Sequence, residues 1–304
     1  MEYVLETENL CVGFGKKKVL DNLNIRVPRG EIYGLVGKNG AGKTTLIRTV
    51  CGLIKPTSGN YSLFGISNRN SMNGSVRRRL GAVAETPGFY PELSAYENMR
   101  IQYMLYGLPS EEGINELLKT MNLDGAGKEK VKNFSLGMKQ RLGIAMALAG
   151  NPDFLILDEP ANGLDPQGIV ELRELLIELN SSRDITILVS SHILEELPRF
   201  ATCYGFLKNG RIIKELSAEE LNAQCREYMW MKVSDTKLLA LALDGLGIEY
   251  SISSDTEALV YTDKGVGVIA EALKERGCEL EKVDARNETL ETFYLNLMGG
   301  DDNA

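Results

Sequence analysis

The segment Gly37-Lys-Asn-Gly-Ala-Gly-Lys-Thr44 limits the fold of this chain more than any other. It matches G-x-x-x-x-G-K-[ST]. An apolar run, Glu31-Ile-Tyr-Gly-Leu-Val36, precedes it, and the helical spacing of Leu46, Ile47 and Val50 follows. Strand, glycine loop and helix therefore succeed one another. Glycines let such a loop turn its backbone N–H groups inward around phosphate oxygens, and the start of the next helix adds partial positive charge. Gly37, Lys38, Asn39, Gly40, Ala41, Gly42 and Thr45 are expected to belong to this cradle. Lys43 is expected to reach the β- and γ-phosphates, and Thr44 to offer its hydroxyl to Mg²⁺.

Two later runs, Phe154-Leu-Ile-Leu157 and Ile185-Thr-Ile-Leu-Val189, are continuously apolar, as strands buried on both faces of a parallel sheet are. Between them Ile169, Leu172, Leu175, Leu176 and Leu179 mark one side of a helix. Strand-helix alternation implies an α/β core with right-handed crossovers. The first run leads into Asp158-Glu159, two carboxylates at the C-terminal end of a strand, where open α/β sheets bind ligands. Asp158 is expected to hold Mg²⁺ opposite Thr44, and Glu159 to polarise a water for in-line attack on a γ-phosphate. Alone, the pair is an ordinary exposed strand end; downstream of a phosphate loop the catalytic reading prevails.

Phe134-Ser-Leu-Gly-Met-Lys-Gln-Arg141 precedes an apolar helix with Ser135 at the N-cap, which by itself is only a capped core helix. Asn162-Gly-Leu-Asp165 follows the carboxylates, and Ser190-Ser-His192 closes the next apolar strand. That order resembles the nucleotide-binding subunits of ABC transporters over roughly residues 1 to 215. There the pieces are called Walker A, signature, Walker B, D-loop and H-loop. The resemblance implies a P-loop NTPase (ABC ATPase) core with an antiparallel β subdomain and a helical subdomain. It also implies ATP hydrolysis with Mg²⁺ by two subunits, a homodimer or a paired ATPase subunit, sandwiching two ATP molecules head to tail. Ser135 and Gly137 would contact the γ-phosphate bound on the partner, and His192 the γ-phosphate of its own subunit. Asp165 would couple the two sites. Phe14, followed by Gly15 in a loop after the first strand, matches the position whose ring stacks on adenine; the same ring could instead plug the core.

Two positions depart from the family pattern. Met138 stands where the signature carries an amide side chain. Glu85, within Val83-Ala-Glu-Thr-Pro-Gly-Phe-Tyr-Pro91, stands where the Q-loop carries glutamine. Glu85 is a further candidate for the metal, at the cost of a negative charge near the phosphates. These features, with Asn287-Glu-Thr-Leu-Glu-Thr-Phe-Tyr294, are similar to the ATPase subunits of bacterial drug and antimicrobial-peptide exporters of the bacitracin-resistance and lantibiotic-immunity kind. The resemblance implies a separate polytopic permease subunit and a cytoplasmic location, peripheral on the inner face of the membrane. Residues from Glu85 to Tyr106, with Phe89 and Tyr90, are the expected surface for that permease. The alternative is a soluble ATPase of the same type acting on a ribosome or other macromolecule. Those typically carry two cassettes or coiled-coil insertions, and this sequence has no sustained heptads.

Composition narrows the field further. Counting 34 Lys and Arg against 42 Asp and Glu gives a net charge of −8, which argues against nucleic acid as a partner. The longest apolar stretches fall far short of the ~20 residues that cross a bilayer. The opening Met1-Glu2-Tyr3 lacks the basic start of a signal peptide. Five scattered cysteines without a C-x-x-C spacing fit a reducing compartment. The Arg77-Arg-Arg79 run reads as a solvated face, with anionic lipid as the other possibility.

After about Leu216 the elements shorten. Ser217-Ala-Glu-Glu220 can cap a linking helix. Strands near 228–233, 250–253, 258–261 and 279–283 and helices at 236–243, 266–276 and 290–297 are expected. They make a small split β-α-β, α+β domain over 216–304 without a catalytic motif, beside a nucleotide-binding domain over 1–215.

Overall fold

Three apolar strands, Ile32–Val36, Phe154–Asp158 and Thr186–Ser191, bury every one of their residues. Only a sheet covered on both faces accepts such strands. The computed structural model, which describes residues 2–84, 87–194, 196–225, 227–262, 264–287 and 290–299, sets them side by side. They form the middle of a six-stranded sheet ordered Arg211–Ser217, Cys203–Lys208, Ile32–Val36, Thr186–Ser191, Phe154–Asp158, Leu80–Val83. All neighbours run parallel except the hairpin of Cys203–Lys208 with Arg211–Ser217.

Helix Lys43–Val50 packs on this sheet and joins it to an antiparallel sheet of order Lys17–Leu23, Tyr3–Phe14, Ser58–Leu63, Ile66–Ser67. Leu20, Leu23 and Leu63 from that sheet share one core with Leu46, Phe154 and Leu188. Each such buried side chain contributes about 1.5–3 kcal/mol of transfer free energy. Lys17–Leu23 and Arg26–Pro28 are separate short strands. Asn22 adopts φ 50° there, and the Asn24 amide donates to Asn22 O at 2.9 Å. Such local side-chain bonds compete with the ladder.

The helical part opens on a capping box. Ser94 Oγ accepts from Glu97 N–H at 3.2 Å and Glu97 Oε2 accepts from Ser94 N–H at 2.7 Å, starting helix Ala95–Tyr106. Gly107, at φ 68°, ends it. Helix Glu112–Thr120 buries Ile114, Leu117 and Leu118, and helix Leu136–Leu148 buries its apolar second half, Leu142, Ile144, Ala145, Ala147 and Leu148. Helix Pro166–Arg183 buries Leu172, Leu175, Leu176 and Leu179, the stripe read from the sequence.

The chain divides into two compact units, Met1–Ala218 and Glu219–Ala304. In the second, strands Glu249–Ile252, Glu257–Tyr261, Glu227–Val233 and Leu280–Asn287 form an antiparallel sheet in that order. Helices Thr236–Leu246 and Val266–Glu275 bury Leu239, Leu243, Ile269 and Leu273 with Met231 and Val260 of the sheet. The order β-α-β-β-α-β is the split βαβ, ferredoxin-like arrangement. Among the described residues no helix is long and apolar enough to cross a membrane.

Candidate nucleotide site

The sheet register assembles residues that are far apart in sequence. Val36 lies opposite Ser191, and Asp158 opposite Ser190, so three strand ends converge where the glycine loop leaves the sheet. The loop's glycines are there for space and for conformation. A Cβ on Gly37 would stand 2.8 Å from Leu207 O. Gly42 has φ 118°, and a Cβ there would stand 2.8 Å from Leu20 Cδ2. Lys43 is the first residue of its helix and only 5% exposed. Its ammonium donates to Gly37 O and, at 3.4 Å, to Lys38 O.

Lys43 Nζ also lies 3.1 Å from Glu159 Oε1, an ion pair whose geometry falls outside hydrogen-bond alignment. Glu159 Oε2 takes the His192 ring at Nδ1, 2.7 Å away, and the His192 main-chain N–H at 3.2 Å. Glu159 sits at φ 51°, a conformation that costs a non-glycine residue about 1–2 kcal/mol. Its N–H is held by Ser190 O at 3.2 Å and Ser190 Oγ at 2.9 Å. The same Ser190 hydroxyl donates to Asp158 Oδ1 at 2.6 Å, fixing a carboxylate that is 2% exposed. Backbone strain maintained by surrounding bonds is a mark of functional sites.

A cleft of about 400 Å³ opens over these groups. Asn39, Gly40, Gly42, Lys43, Thr44, Thr45, Glu159 and His192 line it. Gly37, Ala41 and Asp158 are buried next to it in the sequence, and Lys38 is exposed. Phe14 is 55% exposed, so it is not a core plug; it pairs across the hairpin with Lys17, which does line the cleft. Glu85 lies outside the described residues. Ser135 caps its helix by accepting from Met138 N–H at 3.2 Å, so Met138 joins the cap through its backbone. Ser135 and Gly137 do not line the cleft of their own chain. Gly137 instead faces Leu164, and Gly163 faces Leu136. Asp165 has a local role: its Oδ1 accepts from Gly168 N–H at 2.9 Å, capping helix Pro166–Arg183.

The sequence offered Asn162 and Ser190 only as members of their motifs and gave Lys17 and Val19 no role, although Lys17, Val19 and Asn162 line the cleft. A serine closing an apolar strand was the one available signal for Ser190. Arg78 and Arg79 of the arginine run are exposed, as a solvated face requires, while Arg77 is half-buried. Arg77 donates to Tyr61 OH at 2.6 Å, and Arg79 stacks 3.8 Å from the Phe64 ring centroid while pairing with Asp153. Arg78 alone is exposed without such an anchor in the run.

A glycine loop at a helix start, carboxylates at a strand end and a histidine at the next strand end mark a P-loop NTPase fold. The family described as ABC transporter matches residues 20–162. The chain is 40% identical over 303 residues, 99% of each chain, to the bacitracin transport ATP-binding protein BcrA of Bacillus licheniformis. It is 45% identical over 213 residues to the lantibiotic transport ATP-binding protein SrtF of Streptococcus pyogenes, covering 70% of this chain and 90% of that one. Among solved structures, an ATP-binding subunit of an ABC transporter is 34% identical and superposes with a TM-score of 0.64, over 73% of this chain and 92% of that one. An ATP-binding cassette solved as a dimer in a post-hydrolysis state with ADP and Pi is 25% identical, TM-score 0.63, over 70% and 98%. This chain belongs to the ATP-binding proteins of ABC transporters. It is an ATPase of that family, with the ABC ATPase fold that binds ATP and ADP.

Proposed function

We propose that this chain powers export of a peptide antibiotic or related drug through a separate membrane-spanning permease, from the cytoplasmic face of the membrane. The observation that carries the reading is the match, end to end, to the bacitracin transport ATP-binding protein. The cleft supports the ATP-hydrolysing part of it by bringing Lys43 and His192 each into contact with Glu159.

Lys43 and the loop amides hold the phosphates of ATP, and Phe14 stacks on the adenine. Glu159 takes a proton from the attacking water, and His192 keeps that carboxylate in place and meets the γ-phosphate. Ser135 and Gly137 close on the γ-phosphate of the paired subunit, with Asp165 beside them. Support for this trans role is their absence from the cleft of their own chain.

Thr44 and Asp158 are the residues for Mg²⁺, with Glu85 the third. A hydroxyl and a carboxylate are hard oxygen donors of the kind that ion takes, and no cluster of three metal-ligating side chains exists among the described residues. When bound, Mg²⁺ neutralises phosphate charge and polarises the γ-phosphoryl group.

The permease meets the surface after Val83. Tyr90 there is 58% exposed, and its backbone is latched to the buried Asn98 by bonds of 2.9 and 3.1 Å. The test is affinity purification of Glu159→Gln from detergent-solubilised native membranes, with and without Mg-ATP. Recovery of a polytopic membrane protein is expected. Recovery of ribosomes or of a soluble homodimer alone would refute the exporter assignment.

A further inference from the structure

We propose that Asp21 and Arg211 are positioning residues for the nucleotide loop: their ion pair holds the hairpin tip at Gly210 against Ala41 and thereby sets how tightly the loop binds phosphate. The proposal rests on the reading that this loop holds ATP.

Gly210 N–H donates to Ala41 O at 2.9 Å, and Gly210 O accepts from Asp21 N–H at 3.0 Å. The Asp21 carboxylate then accepts from Arg211 Nε at 3.1 Å and from its terminal nitrogen at 2.5 Å, with Lys18 Nζ 2.9 Å away on the other oxygen. The next residue after Gly210 thus donates twice to one oxygen, Oδ2, of the same aspartate whose main chain holds Gly210. Charge-assisted bonds of this kind are stronger than neutral ones.

The contact is close enough to demand glycine. Gly210 has φ 78°, and a Cβ there would lie 2.2 Å from Val19 O. On the other side of the same residues, a Cβ on Gly42 would lie 3.1 Å from Val19 O and 2.8 Å from Leu20 Cδ2. Gly37 rests on Leu207, from the strand leading into the hairpin tip. Gly37, Ala41 and Gly42 thus all lean on one wall, built from Val19, Leu20, Leu207 and Gly210.

A loop with three glycines does not stiffen itself. The wall supplies the restraint, and one bond in it acts directly on a phosphate-facing group. The peptide between Ala41 and Gly42 is planar and trans, so a hydrogen bond on Ala41 O turns the Gly42 N–H away from the hairpin. Gly42 lines the cleft. Pre-orienting such an N–H removes part of the ordering cost of binding.

The experiment measures ATP KM, kcat and melting temperature for Asp21→Asn, Arg211→Gln and their double variant, with Arg211→Lys and Lys43→Ala alongside. Each single variant is expected to raise KM about fivefold, near the upper range for a partly exposed ion pair, with kcat within about twofold of wild type. The double variant is expected to match the singles, because one interaction is removed only once. Arg211→Lys is expected to fall between wild type and Arg211→Gln. Should Arg211→Gln melt early, Asp21→Asn carries the test, since it is isosteric and keeps the main-chain bond to Gly210. Wild-type KM in both single variants, additive KM effects in the double, or a loss of kcat without change in KM would overturn the proposal. Lys43→Ala separates the two levels. If it binds ATP like wild type, the loop is not the phosphate site and both readings fall. If it loses ATP while Asp21→Asn does not, only the positioning role falls.

Discussion

Glu159 and His192 are joined twice: the carboxylate oxygen Oε2 takes the ring at Nδ1, 2.7 Å away, and the main-chain N–H at 3.2 Å. They close adjacent parallel strands, so sheet register sets their separation. In the proposed role of Glu159 as general base, a partner that is itself on a rigid strand keeps the carboxylate aimed without reorganising at each turnover.

Removing the ring in His192→Ala leaves the main-chain bond and deletes the shorter one. A hydrogen bond to a charged group contributes about 1.5–3 kcal/mol, so kcat is expected to fall about tenfold or more. Steady-state hydrolysis at saturating ATP measures this. An unchanged kcat would mean that the ring does not orient Glu159.

The loop glycines should differ in what they tolerate. Gly40 has φ 82° but nothing near its missing side chain, whereas Gly42 has φ 118° and Leu20 at 2.8 Å from a built Cβ. Gly40→Ala is expected to lose about 1–2 kcal/mol, the left-handed backbone cost alone. Gly42→Ala is expected to lose more and to bind ATP measurably more weakly, because Leu20 or the loop must shift. Urea denaturation with parallel ATP titration tests this; equal losses would contradict it.

Ser135 combines a cap with a proposed contact to the paired subunit's nucleotide, and substitutions separate the two. Ser135→Ala removes the oxygen that accepts from Met138 N–H and is expected to cost about 1 kcal/mol of stability. Ser135→Asp keeps a capping oxygen and should keep stability, yet its charge opposes a phosphate. ATPase activity is expected to fall sharply in Ser135→Asp despite a wild-type melting curve. Full activity there would remove the serine from the phosphate contact.

The readable and unreadable parts of this molecule follow from what periodicity encodes. Strands Ile32–Val36 and Phe154–Asp158 and the stripe on Pro166–Arg183 are local patterns, and each was legible. The loop could be read from its glycines between strand and helix and the carboxylates from their place at a strand end, whereas the histidine was named only through the family's motif order. Ser58–Leu63 escaped, since only Tyr61 and Leu63 of its six residues are buried and Gly and Ser interrupt it. Asp165 was read through its motif, while its cap to Gly168 is what the fold adds. The bonds of Ser190 to Asp158 and Glu159, and of Asp21 to Arg211, depend on which strands lie side by side. Nothing in one chain's local pattern states that.

Two thiols report on the core. Burial pushes Cys51 up to about 11 and Cys203 up to about 12. An unfolded thiol titrates near ~8.5, so the stabilisation from keeping these groups neutral is complete below that pH. It is lost as pH rises from there towards the folded values. Native protein at pH 8 is therefore expected to alkylate at Cys51 and Cys203 far more slowly than protein in urea, with the unfolding midpoint falling from pH 8 to pH 10. Mass-spectrometric labelling follows both sites; rapid native labelling of either would show an accessible thiolate.

The most direct measurement is ATP binding and hydrolysis by Glu159→Gln against wild type, with Mg²⁺ present in both. The substitution preserves size and removes the basic oxygen. General-base catalysis is worth about 10²–10⁴-fold, so hydrolysis is expected to drop by at least a hundredfold. ATP affinity should remain at or above the wild-type value, and the ATP-bound protein should elute as a dimer. Hydrolysis that persists within about tenfold of wild type would contradict the assignment of Glu159 as the base, and with it the mechanism built on the Lys43, Glu159 and His192 cluster.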